Sequence, residues 1–287
     1  MMPMAGITDS MKKTWATIAT LARWTIIDEF RQRSVVIFFA ACAAFMFVMR
    51  GCYQGSYVVN GEALDAATIV SQATFHVVAA GVMMLAALMA MRIFKRERDD
   101  GTQAYLLSRP IARWHYLVGK VAGLWLGSTA SMLALHGVLC LMASLNAHMV
   151  SPGYLIASLL CSVNLLLVVL AVMALSLWLP DFLAFLAILG VGVVSFIGHG
   201  VEAAVQNPMV QSAMQQSGAQ GARGFPWWKA AWILWPKLGG LQVTASSLIG
   251  SESFSAGALV NPLVNVAVYC CVLGALCYIG FSREEIV

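Results

Sequence analysis

The stretch Tyr154-Leu-Ile-Ala-Ser-Leu-Leu-Cys-Ser-Val-Asn-Leu-Leu-Leu-Val-Val-Leu-Ala-Val-Met-Ala-Leu-Ser-Leu177 contains no charged side chain. As a helix it is about 36 Å long, enough to cross a hydrocarbon core of about 30 Å. Five further apolar blocks flank it, at approximately 34–49, 69–91, 117–145, 182–198 and 263–281. Hydrophobic residues make up 60% of the 287 and charged residues only 10%, against about 25% charged in an ordinary soluble domain. Mean hydropathy is +0.80. That balance excludes soluble, disordered and fibrous classes. Long unbroken apolar blocks also argue against a transmembrane barrel, whose strands alternate. The expected fold is all-α, one transmembrane domain with six spans.

The ends and connections refine this plan. Seven charged side chains lie among residues 12–33, and no short apolar core with a cleavage site follows, so the amino terminus does not read as a signal peptide. Trp15, Ile18, Ala19, Ala22, Ile26 and Phe30 recur at helical spacing, with Thr17, Thr20, Asp28 and Arg31 opposite. This predicts an amphipathic interfacial helix over 10–33. Lys and Arg at 12, 13, 23, 31, 33, 92, 95, 96, 98, 109, 113, 120 and 283 fall on one side of the spans. Arg50, Arg223, Lys229 and Lys237 fall on the other. The positive-inside rule then places both termini in the cytoplasm of a multi-pass protein of the bacterial inner membrane. Segment 199–261 is extracytoplasmic in this plan. Its run Pro226–Pro236 carries four tryptophans and is too short to span, so it reads as a re-entrant or interfacial helix. The net charge of +4 is too small to suggest a nucleic-acid partner, and the seven cysteines show neither a disulfide framework nor zinc spacing.

Segment 92–116 is the informative connection. Ten of the 30 charges lie in the 29 residues from Arg92 to Lys120. Gly101 can end the helix leaving the second span, and Thr102 can cap a short new one carrying Tyr105, Leu106 and Leu107. Ser108 and Pro110 can open the next helix. An apolar helical tip held clear of the bilayer has a protein partner as its natural contact. The basic residues 92–98, taken alone, also fit ordinary positive-inside anchoring.

In this loop the sequence resembles the permease subunits of ABC transporters, of the type-2, exporter-like class. The resemblance is carried by Glu97, Arg98, Gly101, Thr102, Leu106, Leu107, Pro110, Arg113, Gly119 and Lys120, in matching order and spacing. It implies that the loop, Tyr105 included, is a coupling helix gripped by a separate ATPase. It implies two ATPase copies, each holding ATP and Mg, beneath two permease units. The second unit is either another copy of this chain or a paralogue. The chain has no Gly-x-x-x-x-Gly-Lys-Ser/Thr of its own, since Gly119-Lys120 is followed by Val121. It is therefore expected to bind no cofactor and to be no enzyme by itself. The amino-terminal helix fits either a membrane anchor or a part of the motor relay.

Gln72, His76, His136 and Asn164 lie at comparable depth in the outer half of their spans. They are candidates for lining a pathway. The competing reading gives each an interhelical hydrogen bond and packing. The 16 methionines are scattered without His or Cys beside the two small groups, so no metal site is expected. A permease serving maturation of an extracytoplasmic metalloenzyme is an alternative. So is an ion-coupled transporter or channel, although all six spans lack Asp and Glu between their ends. A membrane-embedded enzyme would need a nucleophile beside a base, and Ser128 and Ser131 are too far from His136 along their helix. A few polar groups in apolar spans suit lipids, glycans and amphipathic compounds alike as cargo moved outward.

Overall fold

The structure is a computed structural model. It describes residues 4–54, 57–59, 62–64, 66–102, 105, 108, 112–147, 153–206, 232, 234–249 and 256–283. In chain order these form α1 (Met4–Phe30), α2 (Arg33–Met49), a 3-10 helix (Arg50–Gln54), β1 (Tyr57–Val59), β2 (Glu62–Leu64) and α3 (Ala66–Asp99). Then come α4 (Arg113–Ala147), α5 (Gly153–Ser176), α6 (Asp181–Gln206), α7 (Leu238–Ser246) and α8 (Ala256–Arg283). Among the described residues, six helical segments are long and apolar enough to cross a membrane, from α2 with its 3-10 extension, α3, α4, α5, α6 and α8. The protein is an all-α polytopic membrane protein, as the apolar blocks require.

The core is α3, α4 and α5 packed together. Phe75, Val82 and Ala86 of α3, Met132 of α4, and Leu165 and Met173 of α5 are fully or almost fully buried. The helices α2, α6 and α8 keep most of their apolar surface exposed, as side chains facing hydrocarbon can. Both α3 and α4 run past their expected span ends, to Asp99 and from Arg113, so the loop between them joins two extended helices.

Two elements differ from the plan read in the sequence. Strands β1 and β2 pair antiparallel, Tyr57 opposite Leu64 and Val59 opposite Glu62. The residues between them, Asn60-Gly61, are the pair that tight hairpins prefer. Within Pro226–Pro236, most of which lies outside the described residues, Trp232 and Leu234 are helical, and a further short helix, α7, starts after Pro236. Its nine residues are mostly buried, so it is a plug among α3, α5, α6 and α8. Backbone polar groups at such depth need protein partners, and here they have them. The Lys237 N–H donates to Asn265 Oδ1 at 3.0 Å, and the Gly239 N–H donates to Ser195 Oγ at 3.1 Å. Gly239 is required because a Cβ there would lie 2.9 Å from the Ser195 carbonyl oxygen.

Helix α1 is zipped lengthwise onto the start of α4. Gly119, Gly123 and Gly127 recur every four residues and so form one face of α4. Leu21, Thr25 and Glu29, also four apart, fill that face. A Cβ on Gly119 would lie 2.7 Å from Leu21 Cβ, one on Gly123 2.5 Å from Thr25 Cβ, and one on Gly127 2.0 Å from Glu29 Oε2. Equal steps in the same direction make the helices parallel and nearly aligned over about 12 Å. Small residues permit this approach, as in other membrane helix pairs. The buried face of α1 is thus Ile18, Leu21, Ala22, Thr25 and Glu29, while Trp15 and Phe30 of the expected apolar face are exposed.

Candidate functional site

The loop is closed at its base by side chains that the sequence separates widely. Glu97, near the end of α3, accepts hydrogen bonds from the Tyr116 hydroxyl and from Lys120 Nζ. The Glu97 and Lys120 side chains are 12% and 7% exposed, so the ion pair is largely withdrawn from water. Removing either partner of a pair this dry would strand the other charge away from water, so the pair fixes how its two helices meet. The Phe281 ring stacks between Phe94, with centroids 5.6 Å apart, and Tyr116, at 5.4 Å. Arg113 Nη1 donates to the Ser282 carbonyl at 2.8 Å. The end of α3, the start of α4 and the end of α8 therefore meet in one polar and aromatic clamp.

Above the clamp, Gly101 adopts φ +65°, the left-handed conformation that ends a helix and that a side chain would strain. The Tyr105 N–H reaches the Gly101 carbonyl at 3.1 Å, so a new helical turn starts at once. Thr102 and Tyr105 are exposed, Tyr105 by 61%. The Ser108 hydroxyl donates to the Tyr105 carbonyl at 2.8 Å. Leu106, Leu107 and Pro110 lie outside the described residues, as does the side chain of Arg98. The motif thus divides by position. Glu97, Arg113 and Lys120 hold the base, Gly119 seats Leu21 of α1, and Thr102 and Tyr105 face outward.

The membrane-level polar residues lie in the packing. His136 is fully buried, with Nδ1 hydrogen-bonded to Ser158 Oγ at 2.5 Å and its ring stacked on Phe75 at 4.2 Å. Asn164 is also fully buried, and its Nδ2 donates to the Leu238 carbonyl of α7 at 3.0 Å. The His76 carbonyl accepts from Gln242 Nε2 at 3.1 Å, and the His76 side chain is half-buried, as is that of Gln72. None of the four lines either of the two main cavities. One cavity, about 240 Å³, is apolar and lies between α3 and α6, walled by Met83, Phe185 and Phe196.

The other, about 1240 Å³, lies beneath the loop. The end of α1, the start of α2, α3, α4 and the turn between α5 and α6 enclose it. Glu97 and Lys120 are in its wall, as are Asp28, Glu29, Arg33 and Asp181. Glu29 is 2% exposed. Ser128 Oγ donates to its Oε1 at 3.1 Å, and Oε2 has no hydrogen-bond partner. Burial pushes its carboxyl up to about 7, opposed only by the Ser128 hydrogen bond. The sequence marked Glu29 merely as one charge of an amphipathic helix. The spacing Gly119-x-x-x-Gly123-x-x-x-Gly127 was the available signal that a helix would dock there and bury what it carries.

All seven cysteines are free thiols, and among the described residues no group of three His, Cys, Asp or Glu side chains could hold a metal ion. Residues 26–286 match the family model of the ABC-2 family transporter protein. No curated protein matches the chain.

Proposed function

This chain belongs to the ABC-2 family of transporter membrane components, and on that premise we propose that it is the permease subunit of an ATP-driven exporter of the bacterial inner membrane. In this reading both termini and the loop 92–116 face the cytoplasm. The family associates with ABC ATPases, and here two ATPase copies, carrying ATP and Mg, grip the loop through Thr102, Tyr105, Leu106 and Leu107. A second permease unit completes the pathway. The cargo is a lipid, a glycan or an amphipathic compound moved outward.

The observation that carries the proposal is the base clamp. A loop that only joined two spans would not need a largely buried Glu97–Lys120 pair, an aromatic stack and a bond from Arg113 to the last helix. Such bracing makes a projecting tip rigid, and a rigid tip can pass a push from a soluble motor into α3, α4 and α8. Through the glycine face of α4 the same push reaches α1.

Copurification tests this. Affinity-tagged chain solubilised from its native membrane is expected to bring down an ABC ATPase. Replacing Leu106 and Leu107 by Asp is expected to abolish the association while the permease still elutes as a folded species. Retention of the ATPase by that variant would remove the loop from the interface.

A further inference from the structure

The seam between α1 and α4 seals a carboxyl group between two helices. Glu29 is 2% exposed, and its Oε2 lies where a side chain on Gly127 would sit. Ser128 Oγ donates to Oε1 at 3.1 Å, while Oε2 has no donor. Among the described residues no cation pairs with Glu29. Lys120 of α4 is held by Glu97 of α3, and Arg96 of α3 pairs with Asp100. Arg33 of α2 and Arg92 of α3 are exposed to water, and Asp28 of α1, Asp99 of α3 and Asp181 of α6 carry the same sign as Glu29. A neutral carboxyl can stay in such a seam. A carboxylate there has lost its water without gaining a counter-ion. The cavity beneath the loop borders Glu29, so parting the helices at this end lets water in. Beyond Glu29, α1 lasts one more residue, and only Arg31 and Gln32 separate it from α2. Gln32 is extended, with φ −74° and ψ 134°, and its side chain does not cap α2. The sealed end of α1 is thus joined to the first span by a short link, and α2 keeps most of its surface out of the bundle.

We propose that the seam is a proton-operated latch: protonated Glu29 keeps the end of α1 on α4, and loss of the proton lets that end part from Gly127 and frees the link to α2. Burial raises the carboxyl to about 7 in the seam against an ordinary 4.5. The docked helix therefore holds the extra proton and is favoured most at low pH. That preference is lost as pH rises to about 7 and is level above it. With those two values, opening relative to docking increases by about thirtyfold between pH 5.5 and pH 8.5. The latch is a property of this chain's own fold and stands apart from the transport reading.

The test uses the full chain in lipid nanodiscs, with its seven native cysteines replaced by Ala and one reporter thiol introduced as Thr25→Cys. Thr25 is 3% exposed, one turn before Glu29 and opposite Gly123, so N-ethylmaleimide reaches that position only when the seam opens. Thr20→Cys, at an exposed position of the same helix, supplies the reference rate. The ratio of the two labelling rates removes the ordinary rise of thiol reactivity with pH. That ratio is expected to rise about thirtyfold from pH 5.5 to pH 8.5. In Glu29→Gln, which carries no charge at either pH, it is expected to stay level. A ratio independent of pH with Glu29 in place, or an equal rise in Glu29→Gln, would overturn the latch. Ser128→Ala decides if Glu29→Gln fails to fold. It removes the donor to the charged carboxyl and is expected to enlarge the rise. A rise that Ser128→Ala leaves unchanged or flattens would also overturn the latch.

Discussion

Glu97 and Lys120 stand 23 residues apart in the chain and meet as a largely buried ion pair that closes the base of the projecting loop. Removing one partner leaves the other charge withdrawn from water and unmatched. Lys120→Met or Glu97→Gln alone is expected to destabilise the protein by about 3 kcal/mol, and the double variant by clearly less than the two losses together. Thermal melts in detergent across that cycle give the coupling directly. Additive losses would mean that the two side chains act independently.

The glycine face of α4 makes a steric prediction. A methyl group at Gly123 would sit 2.5 Å from Thr25 Cβ and 2.9 Å from the Ala22 carbonyl oxygen, so the helices must separate. Gly123→Ala is expected to cost about 1–3 kcal/mol. Gly137, on the same helix with nothing within 4 Å of an added Cβ, is the control, and Gly137→Ala is expected to be neutral or slightly stabilising. Limited proteolysis of the amino-terminal helix checks the cause, because α1 should become more accessible only in Gly123→Ala.

Glu29 makes stability depend on pH with a definite sign. Its folded carboxyl titrates at about 7 against an ordinary value of 4.5, so between those values the folded state holds the extra proton. Stability is highest below about 4.5, falls as pH rises to about 7, and is level above that. The full swing is about 3 kcal/mol at most. Asp28 of α1, Arg33 of α2, Arg92 and Glu97 of α3, Lys120 of α4 and Asp181 near the start of α6 line the same cavity and form the common background. Glu29→Gln removes only the Glu29 contribution. Its melting temperature relative to the unaltered protein is therefore expected to rise from pH 5 to pH 7.5. A difference that stays flat with pH would show that this carboxyl is solvated.

His136 and Asn164 each join two elements at full burial. His136→Leu strands the Ser158 hydroxyl, and Asn164→Leu strands the Leu238 carbonyl beneath α7. Each is expected to cost about 1–3 kcal/mol. Melting and substrate-stimulated ATP hydrolysis, measured together, separate packing from a pathway role. Packing lowers the melt and leaves the hydrolysis of the surviving folded protein unchanged.

The spans were legible because hydrocarbon allows one backbone solution, and 20-residue apolar blocks announce it. Gly101 likewise marked a break through backbone chemistry that is local. What escaped reading was long-range or short. Leu238-Gly-Gly-Leu-Gln-Val-Thr-Ala-Ser246 has the composition of a loop and becomes a helix only because α3, α5, α6 and α8 enclose it. Asn60-Gly61 did announce a hairpin, but two three-residue strands in a helical protein leave little pattern. The docked face of α1 escaped reading because hydropathy marks only the side carrying Trp15 and Phe30, whereas the glycines of a distant helix select Thr25 and Glu29. Glu97 and Lys120 were both recognised as motif residues, yet their pairing depends on how α3 and α4 cross, which spacing alone does not fix.

The central claim is that a soluble ATPase grips the exposed turn at Tyr105. A photo-crosslinking amino acid placed at Tyr105 in native membranes tests it most directly, with Val58 in the hairpin as the control position. The account predicts an adduct between position 105 and an ABC ATPase, and none from position 58. An ATPase adduct from position 58, or its absence from position 105 in an actively transporting membrane, would contradict it.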